Sequence, residues 1–206
     1  FVGCNSVSCV ITRYEGKAIS MNMYGSTLDD YFQGVSPVED GVYVCGYTRG
    51  SVFSTNVGRY DGILVRLTFD GTLVWARRVA STLNDYGMAV TTTTDGGAVI
   101  VGYTQISTKL YLDSTVFVPE STTSNINRGF IVKYSSVGKP IWAQAFQSKS
   151  NSAALAVVAT PDGGVAVSGY YSGQSWVLGT TTIPQSSAST LIVAKFDSNG
   201  VPQWAK

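Results

Sequence analysis

The chain has 206 residues, of which 44% are apolar and 13% charged, with 14 Lys and Arg against 13 Asp and Glu. That balance supplies a core and excludes a disordered tail, and a net charge of +1 with scattered cations gives no basic stripe for nucleic acid. No apolar run reaches the roughly 18 residues that span a bilayer, and the absence of histidine removes the commonest general base and metal ligand, and with it Ser-His-Asp and Cys-His sites.

In chain order, Phe1-Val2-Gly3 matches only the end of a strand, and CVITRYEGKAISM from Cys9 reads as a half unit. A fuller unit follows: DDYFQGVSPVEDGVYVCGYT over 29–48, then ILVRLTFDGTLVWAR from Ile63. The second copy reads NDYGMAVTTTTDGGAVIVGYT over 84–104 and FIVKYSSVGKPIWAQ from Phe130; the third reads NSAALAVVATPDGGVAVSGYY over 151–171 and LIVAKFDSNGVPQWAK from Leu191. Asp40, Asp95 and Asp162 lie 55 and 67 residues apart, and Gly16, Gly71, Gly138 and Gly200 lie 55, 67 and 62 apart. Self-similarity of this length marks a repeat architecture. It divides the chain into a partial repeat over 1–28 and full repeats over 29–83, 84–150 and 151–206, all one continuous domain.

Within a unit the apolar pattern alternates with a period near two, so strands are expected. In the middle copy these are Tyr86 to Thr93, Ala98 to Thr104, Phe130 to Tyr134 and Pro140 to Phe146, with a hairpin turn at Asp95-Gly96-Gly97. Asp162-Gly163-Gly164 repeats that turn in the last copy. A four-stranded meander with Val99 and Val101 on one face and Ile100 on the other has two apolar faces to cover. Radial stacking meets that need, so the expected fold is all-β: a propeller-like array of four-stranded antiparallel blades, three full repeats plus one partial. Gly34, Ala89 and Ala156 at the midpoint of the first strand suit the crowded inner position.

Trp75, Trp142 and Trp204 recur on the fourth strand, with Ser20 in the partial unit, and read as packing wedges between blades. Trp142→Ala is accordingly expected to cost about 3–5 kcal/mol. Arg13, Arg66, Lys133 and Lys195 recur on the third strand, as strand-edge caps or ties to a neighbouring blade; Arg77-Arg78 reads as a solvated strand end. Asp40, Asp95 and Asp162 are turn residues, and Asp29, Asp30 and Asp85 sit at strand starts, so their repetition answers to turn chemistry and not to paired-carboxylate catalysis. Cys4 and Cys9 flank a short connection and are disulfide candidates, while Cys45 reads as a small buried residue.

These motifs, DGG followed by VxG and then IVKY followed by GxxxW, resemble the SBBP-type β-propeller repeats found in tandem in many bacterial secreted and surface proteins. The resemblance covers essentially the whole chain and implies a place outside the cell or on its surface.

The expected function is that of a non-enzymatic structural or interaction protein, needing no cofactor or metal. The partial unit lacks its first strand and most of its second, which suggests self-association through sheet edges, head to tail, by strand complementation into a filament. The alternative is a lectin- or adhesin-like propeller binding glycans or surface proteins through Tyr103, Tyr111, Tyr170, Tyr171 and Trp176 near the variable junctions. The insertions there carry apolar stretches, 114–118 and 175–178, that suit an extra strand or a contact patch. Replacing 107–127 by a short linker is nonetheless expected to preserve the fold, since lengthening a loop costs only roughly 0.6 kcal/mol per doubling.

Overall fold

A computed structural model describes the backbone of residues 2–5, 8–14, 18–53, 55–105, 110–113, 115–117 and 126–206, and the side chains of these from Met23 onward except 115–117. Among the described residues there are strands and turns and no helix. A leading sheet joins β1 (Val2–Asn5), β2 (Ser8–Tyr14) and β3 (Ala18–Tyr24). Blade 1 follows as β4 (Asp30–Val38), β5 (Gly41–Thr48), β6 (Asp61–Thr68) and β7 (Leu73–Ala80). Blade 2 begins with β8 (Asp85–Thr92) and β9 (Ala98–Gln105), makes the short strands β10 (Leu110–Leu112) and β11 (Thr115–Phe117), and closes with β12 (Asn127–Tyr134) and β13 (Pro140–Ala145). Blade 3 comprises β14 (Ser152–Ala159), β15 (Val165–Gly173), a small hairpin of β16 (Trp176–Leu178) and β17 (Thr181–Ile183), then β18 (Ser186–Phe196) and β19 (Pro202–Ala205). Every neighbouring pair within a blade is antiparallel.

Blade 2 buries both faces, as the two-sided apolar pattern requires. Ile100 enters a core shared with Tyr43, Leu64 and Trp75 of blade 1, whereas Val99 and Val101 enter a second core shared with Val165, Val167 and Phe196 of blade 3. First strands stand nearest one another: a Cβ on Gly34 would lie 3.2 Å from the Cα of Ala89, which is why this position is small in every copy.

The same irregularity recurs in each first strand. Pairing slips by one residue between Phe32 and Gly34, between Gly87 and Ala89, and between Ala154 and Ala156. A bulge bends the strand toward its partner, and the partner residue there is always glycine: Gly46, Gly102 or Gly169. The glycine of the VGYT-like motif is thus the sequence mark of the bulge.

The insertion of the middle repeat does not stay in its own blade. β10 pairs with β7, Leu112 opposite Val79, and extends the blade 1 sheet to the order β11-β10-β7-β6-β5-β4. The stretch 114–118 therefore contributes an extra strand, β11, while the backbone before it becomes part of the preceding sheet.

Register places Cys4 opposite Cys9 across β1 and β2. Their side chains, and with them the expected disulfide, lie outside the described residues. Cys45 is fully buried, and burial pushes its thiol pKa up, which makes it inert.

Between blades the chain is held by a buried carboxylate clamp. Asp85 Oδ2 accepts from the Ser81 amide at 2.5 Å and Oδ1 from the Thr104 hydroxyl. Asp30 repeats this with the Ser26 amide at 2.5 Å and the Thr48 hydroxyl. Burial drives the Asp85 pKa up to about 7 against these bonds, with nearby Asp61 adding to the rise. A carboxyl raised above its unfolded value binds its proton more tightly when folded, so its stabilising contribution is present at about pH 4 and is lost as pH rises through about 7. Melting temperatures of Asp85→Asn across that window should therefore fall less with pH than those of the parent chain. An equal slope in both would contradict a buried, proton-holding Asp85.

Candidate functional site

Two repeated constellations organise each blade, and both start from motif residues. The first joins the hairpin turn to the third strand. Asp95 Oδ1 accepts from Thr93 Oγ1 at 2.5 Å and the Gly97 amide at 3.1 Å, while Oδ2 pairs with Lys133 Nζ at 2.6 Å. Asp162 does the same with Thr160, Gly164 and Lys195, at 2.9 Å for the ion pair, and Asp40 pairs with Arg66. Gly96 and Gly163 hold the left-handed φ of +76° and +81° that the turn demands. Burial pushes the Asp95 pKa up, but Lys133, Thr93 and Gly97 outweigh it and hold it at about 2. Arg66, Lys133 and Lys195 therefore tie the turn of their own blade, instead of capping an edge or reaching a neighbouring blade, while the side chain of Arg13 lies outside the described residues.

The second constellation joins blades. Trp75 Nε1 donates to the Ser136 carbonyl of blade 2 at 2.9 Å, and Arg77 Nε, two residues on, donates to the Gly138 carbonyl at 2.6 Å. Trp142 Nε1 donates to the Ser198 carbonyl of blade 3 at 2.9 Å, and Gln144 Nε2 to the Gly200 carbonyl at 3.0 Å. Each pair clasps the turn between the third and fourth strands of the next blade. The indole needs glycine there: a Cβ on Gly138 would lie 2.9 Å from Trp75 and one on Gly200 2.5 Å from Trp142, and both glycines have φ near +78°. Where the leading sheet has Ser20 in place of Trp, Tyr24 takes over and donates to the Gly71 carbonyl. Arg77 is thus an interblade donor, and Arg78 is buried in a 2.9 Å pair with Asp61. Neither is the solvated strand end that a basic doublet suggests.

The third tryptophan has the same register, Trp204 opposite Lys195 as Trp142 is opposite Lys133, but none of the described sheets packs on it. Trp75 is 9% exposed and Trp204 43%. Trp75→Ala should cost about 3–5 kcal/mol, Trp204→Ala no more than about 0.5 kcal/mol, and half-buried Trp142→Ala should fall between them, below the range its sequence position suggests. Denaturant melts of the three variants check the order; equal losses would mean that the tryptophans act within blades and not between them.

The other candidate feature is a row of half-buried tyrosines. Ring centroids of Tyr31 and Tyr47 lie 5.0 Å apart, Tyr47 and Tyr86 4.8 Å, and Tyr86 and Tyr103 4.9 Å, with Tyr60 5.7 Å from Tyr86. Tyr170 stands at the aligned position of the next blade, and after burial its phenol is the largest cause of the raised Tyr103 pKa. Burial and the neighbouring phenols push Tyr86 up to about 12. Burial likewise raises Tyr47 and Tyr60, so with Tyr86 and Tyr103 they are uncharged donors at neutral pH, able to stack and to hydrogen-bond.

Of the aromatic residues expected to bind, the fold brings Tyr103 and Tyr170 into this row and separates the others. Trp176 and Tyr171 are buried, their rings 6.1 Å apart in the core with Phe146, and cannot receive a ligand. Their loop folds back onto blade 3 because β16 and β17 bury Trp176, Leu178 and Ile183. Tyr111 lies apart on β10, opposite Ala80. Tyr31, Tyr47, Tyr60 and Tyr86 escaped the sequence reading, although recurrence of Tyr in the DDYF, NDYG and GYT motifs carries the signal for all but Tyr60.

No known protein-family model matches the chain. An uncharacterized WD repeat-containing protein of Acanthamoeba polyphaga mimivirus is 24% identical over 164 residues, which cover 73% of this chain and 12% of that protein. The crystal structure of a protein of unknown function from Bacteroides caccae superposes with a TM-score of 0.50 at 10% identity, covering 100% of this chain and 56% of the other. The chain is an all-β array of propeller-type blades. It spans 12% of the length of its curated relative and 56% of its structural one.

The buried carboxylates Asp61 and Asp85 are each engaged by amides, hydroxyls or Arg78, and the turn carboxylates by their ammonium or guanidinium partners. Among the described residues, the half-buried tyrosine row is what the blades present at the surface.

Proposed function

We propose that this chain is a non-enzymatic structural or interaction protein of SBBP-type repeats, acting outside the cell or on its surface and joining copies of itself head to tail. The observation carrying this reading is the uniform junction between sheets: Trp75 with Arg77 and Trp142 with Gln144 each clasp the turn of the sheet that follows, an operation that a sheet of another copy can continue. Leu64 of blade 1 and Ile131 of blade 2, on those junction faces, are fully buried. Sedimentation velocity over a hundredfold concentration range, with negative-stain images at the top of it, tests the reading. Growing linear species are expected, and uniform monomers throughout would overturn it.

A second reading has its own observation, the tyrosine row. Half-exposed phenols in a line suit stacking on sugars or on a surface protein. Glycan-array binding that is lost in Tyr86→Ser and Tyr103→Ser would favour it.

A further inference from the structure

We infer that the junction between blades 1 and 2 carries a binding site for a neutral pyranose, with Tyr47, Tyr60 and Tyr86 as its floor and Asp29 and Arg49 gripping a pair of adjacent hydroxyls. The inference rests on the reading of the tyrosine row as a sugar platform, and it names the ligand class and the residues that select it. The junction lies inside the array, between β5 and the start of β6 on one side and β8 on the other. Its three rings close a triangle: centroids of Tyr47 and Tyr86 are 4.8 Å apart, of Tyr47 and Tyr60 5.6 Å, and of Tyr60 and Tyr86 5.7 Å. All three residues are half-buried, so each keeps part of its surface open.

The next junction is built from the same repeat and differs at these positions. By strand register Tyr47, Tyr60 and Tyr86 correspond to Tyr103, Asn127 and Ala153 between blades 2 and 3, where two of the three rings are missing. The polar corner departs in the same way. Asp29 and Arg49 occupy the places of Asn84 and Gln105, whose side-chain amides join at 2.8 Å, and of Asn151 and Ser172. Closure of the chain at this place is made by backbone in every blade: the Arg49 amide donates to the Asp29 carbonyl at 3.0 Å, Gln105 to Asn84 at 2.8 Å and Ser172 to Asn151 at 2.8 Å. The fold therefore leaves these side chains free to vary, and of the three blades only the first puts a carboxylate and a guanidinium there.

Charge and geometry select the ligand. Asp29 Oδ2 accepts from the Tyr60 hydroxyl at 3.2 Å and lies 3.9 Å from Arg49 Nη1, while the Arg49 guanidinium carbon stands 6.0 Å from the Tyr60 ring centre. The side chains of Asp29 and Arg49 are 35% and 53% exposed. An ion pair so open to water adds little to folding. Its acceptor and its donors, side by side, match a vicinal diol, in which one hydroxyl donates to the carboxylate and the other accepts from the guanidinium. The C–H face of a pyranose then covers the phenol rings, whose bodies are apolar and whose tips are polar. Because the pair sums to zero charge, the corner gives an acidic sugar no advantage over a neutral one.

The test titrates the full chain with methyl α-mannopyranoside, methyl β-galactopyranoside and N-acetylneuraminic acid, followed by ligand-observed NMR. Two variants borrow the residues of the next blade, Tyr60→Asn and Asp29→Asn/Arg49→Gln, and melting temperatures verify that each is folded. A neutral glycoside that binds the parent more tightly than the acidic sugar does, and binds each variant about tenfold more weakly, is the expected result; tenfold corresponds to the loss of one charge-assisted bond or one stacked ring. If a neutral glycoside binds the parent and Asp29→Asn/Arg49→Gln alike while Tyr86→Ser abolishes binding, the corner is wrong and the sugar platform stands. Tighter binding of N-acetylneuraminic acid overturns the neutral class. If no glycoside binds, the sugar platform falls and the inference with it, and a proline-rich peptide that binds instead assigns the row to a protein partner.

Discussion

Replacing Gly102 with valine should abolish folding of the parent structure or cost more than about 4 kcal/mol, the range reserved for changes with a specific steric cause. A Cβ at this position would lie 1.9 Å from the Tyr86 carbonyl oxygen and 2.8 Å from Phe130 Cζ. The Phe130 ring could shift. The carbonyl cannot, because the bulge between Gly87 and Ala89 has bent the first strand onto this residue, and relieving the overlap means breaking the β8–β9 ladder. The same overlap would arise at Gly46 against Tyr31 at 1.8 Å and at Gly169 against Ala153 at 1.9 Å. Overpacking of an ordinary core site costs typically 1–3 kcal/mol because side chains adapt; the excess expected here measures the rigidity of backbone. Urea melts provide the comparison. A loss below about 1 kcal/mol would show that the first strand slides off the bulge freely and that the motif glycine has another purpose.

Removal of the middle insertion is the second large effect. Exchange of 107–127 for a Gly-Ser linker should lower the melting temperature by roughly 10 °C, since each lost kcal/mol moves a domain of this size by about 2–4 °C. Leu110 and Leu112 are buried against Val79 and Tyr134, and emptying a buried leucine site costs about 2–5 kcal/mol. Asp113 adds a two-way backbone anchor: its amide donates to the Arg78 carbonyl at 3.1 Å, and its Oδ1 accepts from the Arg78 amide at 3.0 Å. Loop-closure entropy alone argues for tolerance, and on that ground the sequence suggests an expendable connection. Its cost of roughly 0.6 kcal/mol per doubling is several times smaller than one buried leucine. Leu110→Ala alone should reproduce about half of the loss. Unchanged melting in both variants would return the insertion to the surface.

Much of the fold can be read along the chain because it is local. Alternation at period two, DGG turns and a motif recurring at 55 and 67 residues are properties of neighbouring residues, so strands, hairpins, unit limits and the burial of both faces of Ala98–Gln105 follow from them. Register within a blade is equally local, and with it the opposition of Trp142 to Lys133. Recurrence of Asp95 and Lys133 was visible too, but not that the two meet, because an aligned charge does not say which aligned charge it faces.

What tertiary structure alone decided lies between units. Trp75 and Trp204 are the same residue at the same register, one buried and one open, since exposure depends on whether another sheet packs against the face. Trp176 and Tyr111 share a loop-like composition, but one folds into the core of its own blade while the other joins the sheet of the preceding one. Insertions have no counterpart in the other copies from which to infer a partner, and each buries apolar side chains, Leu110 and Leu112 in one and Trp176 and Leu178 in the other. The tyrosine row is assembled across blades from residues as distant as Tyr31 and Tyr103. Periodicity therefore determines what every blade must be, whereas contacts through space between non-identical neighbours determine which faces remain for another molecule.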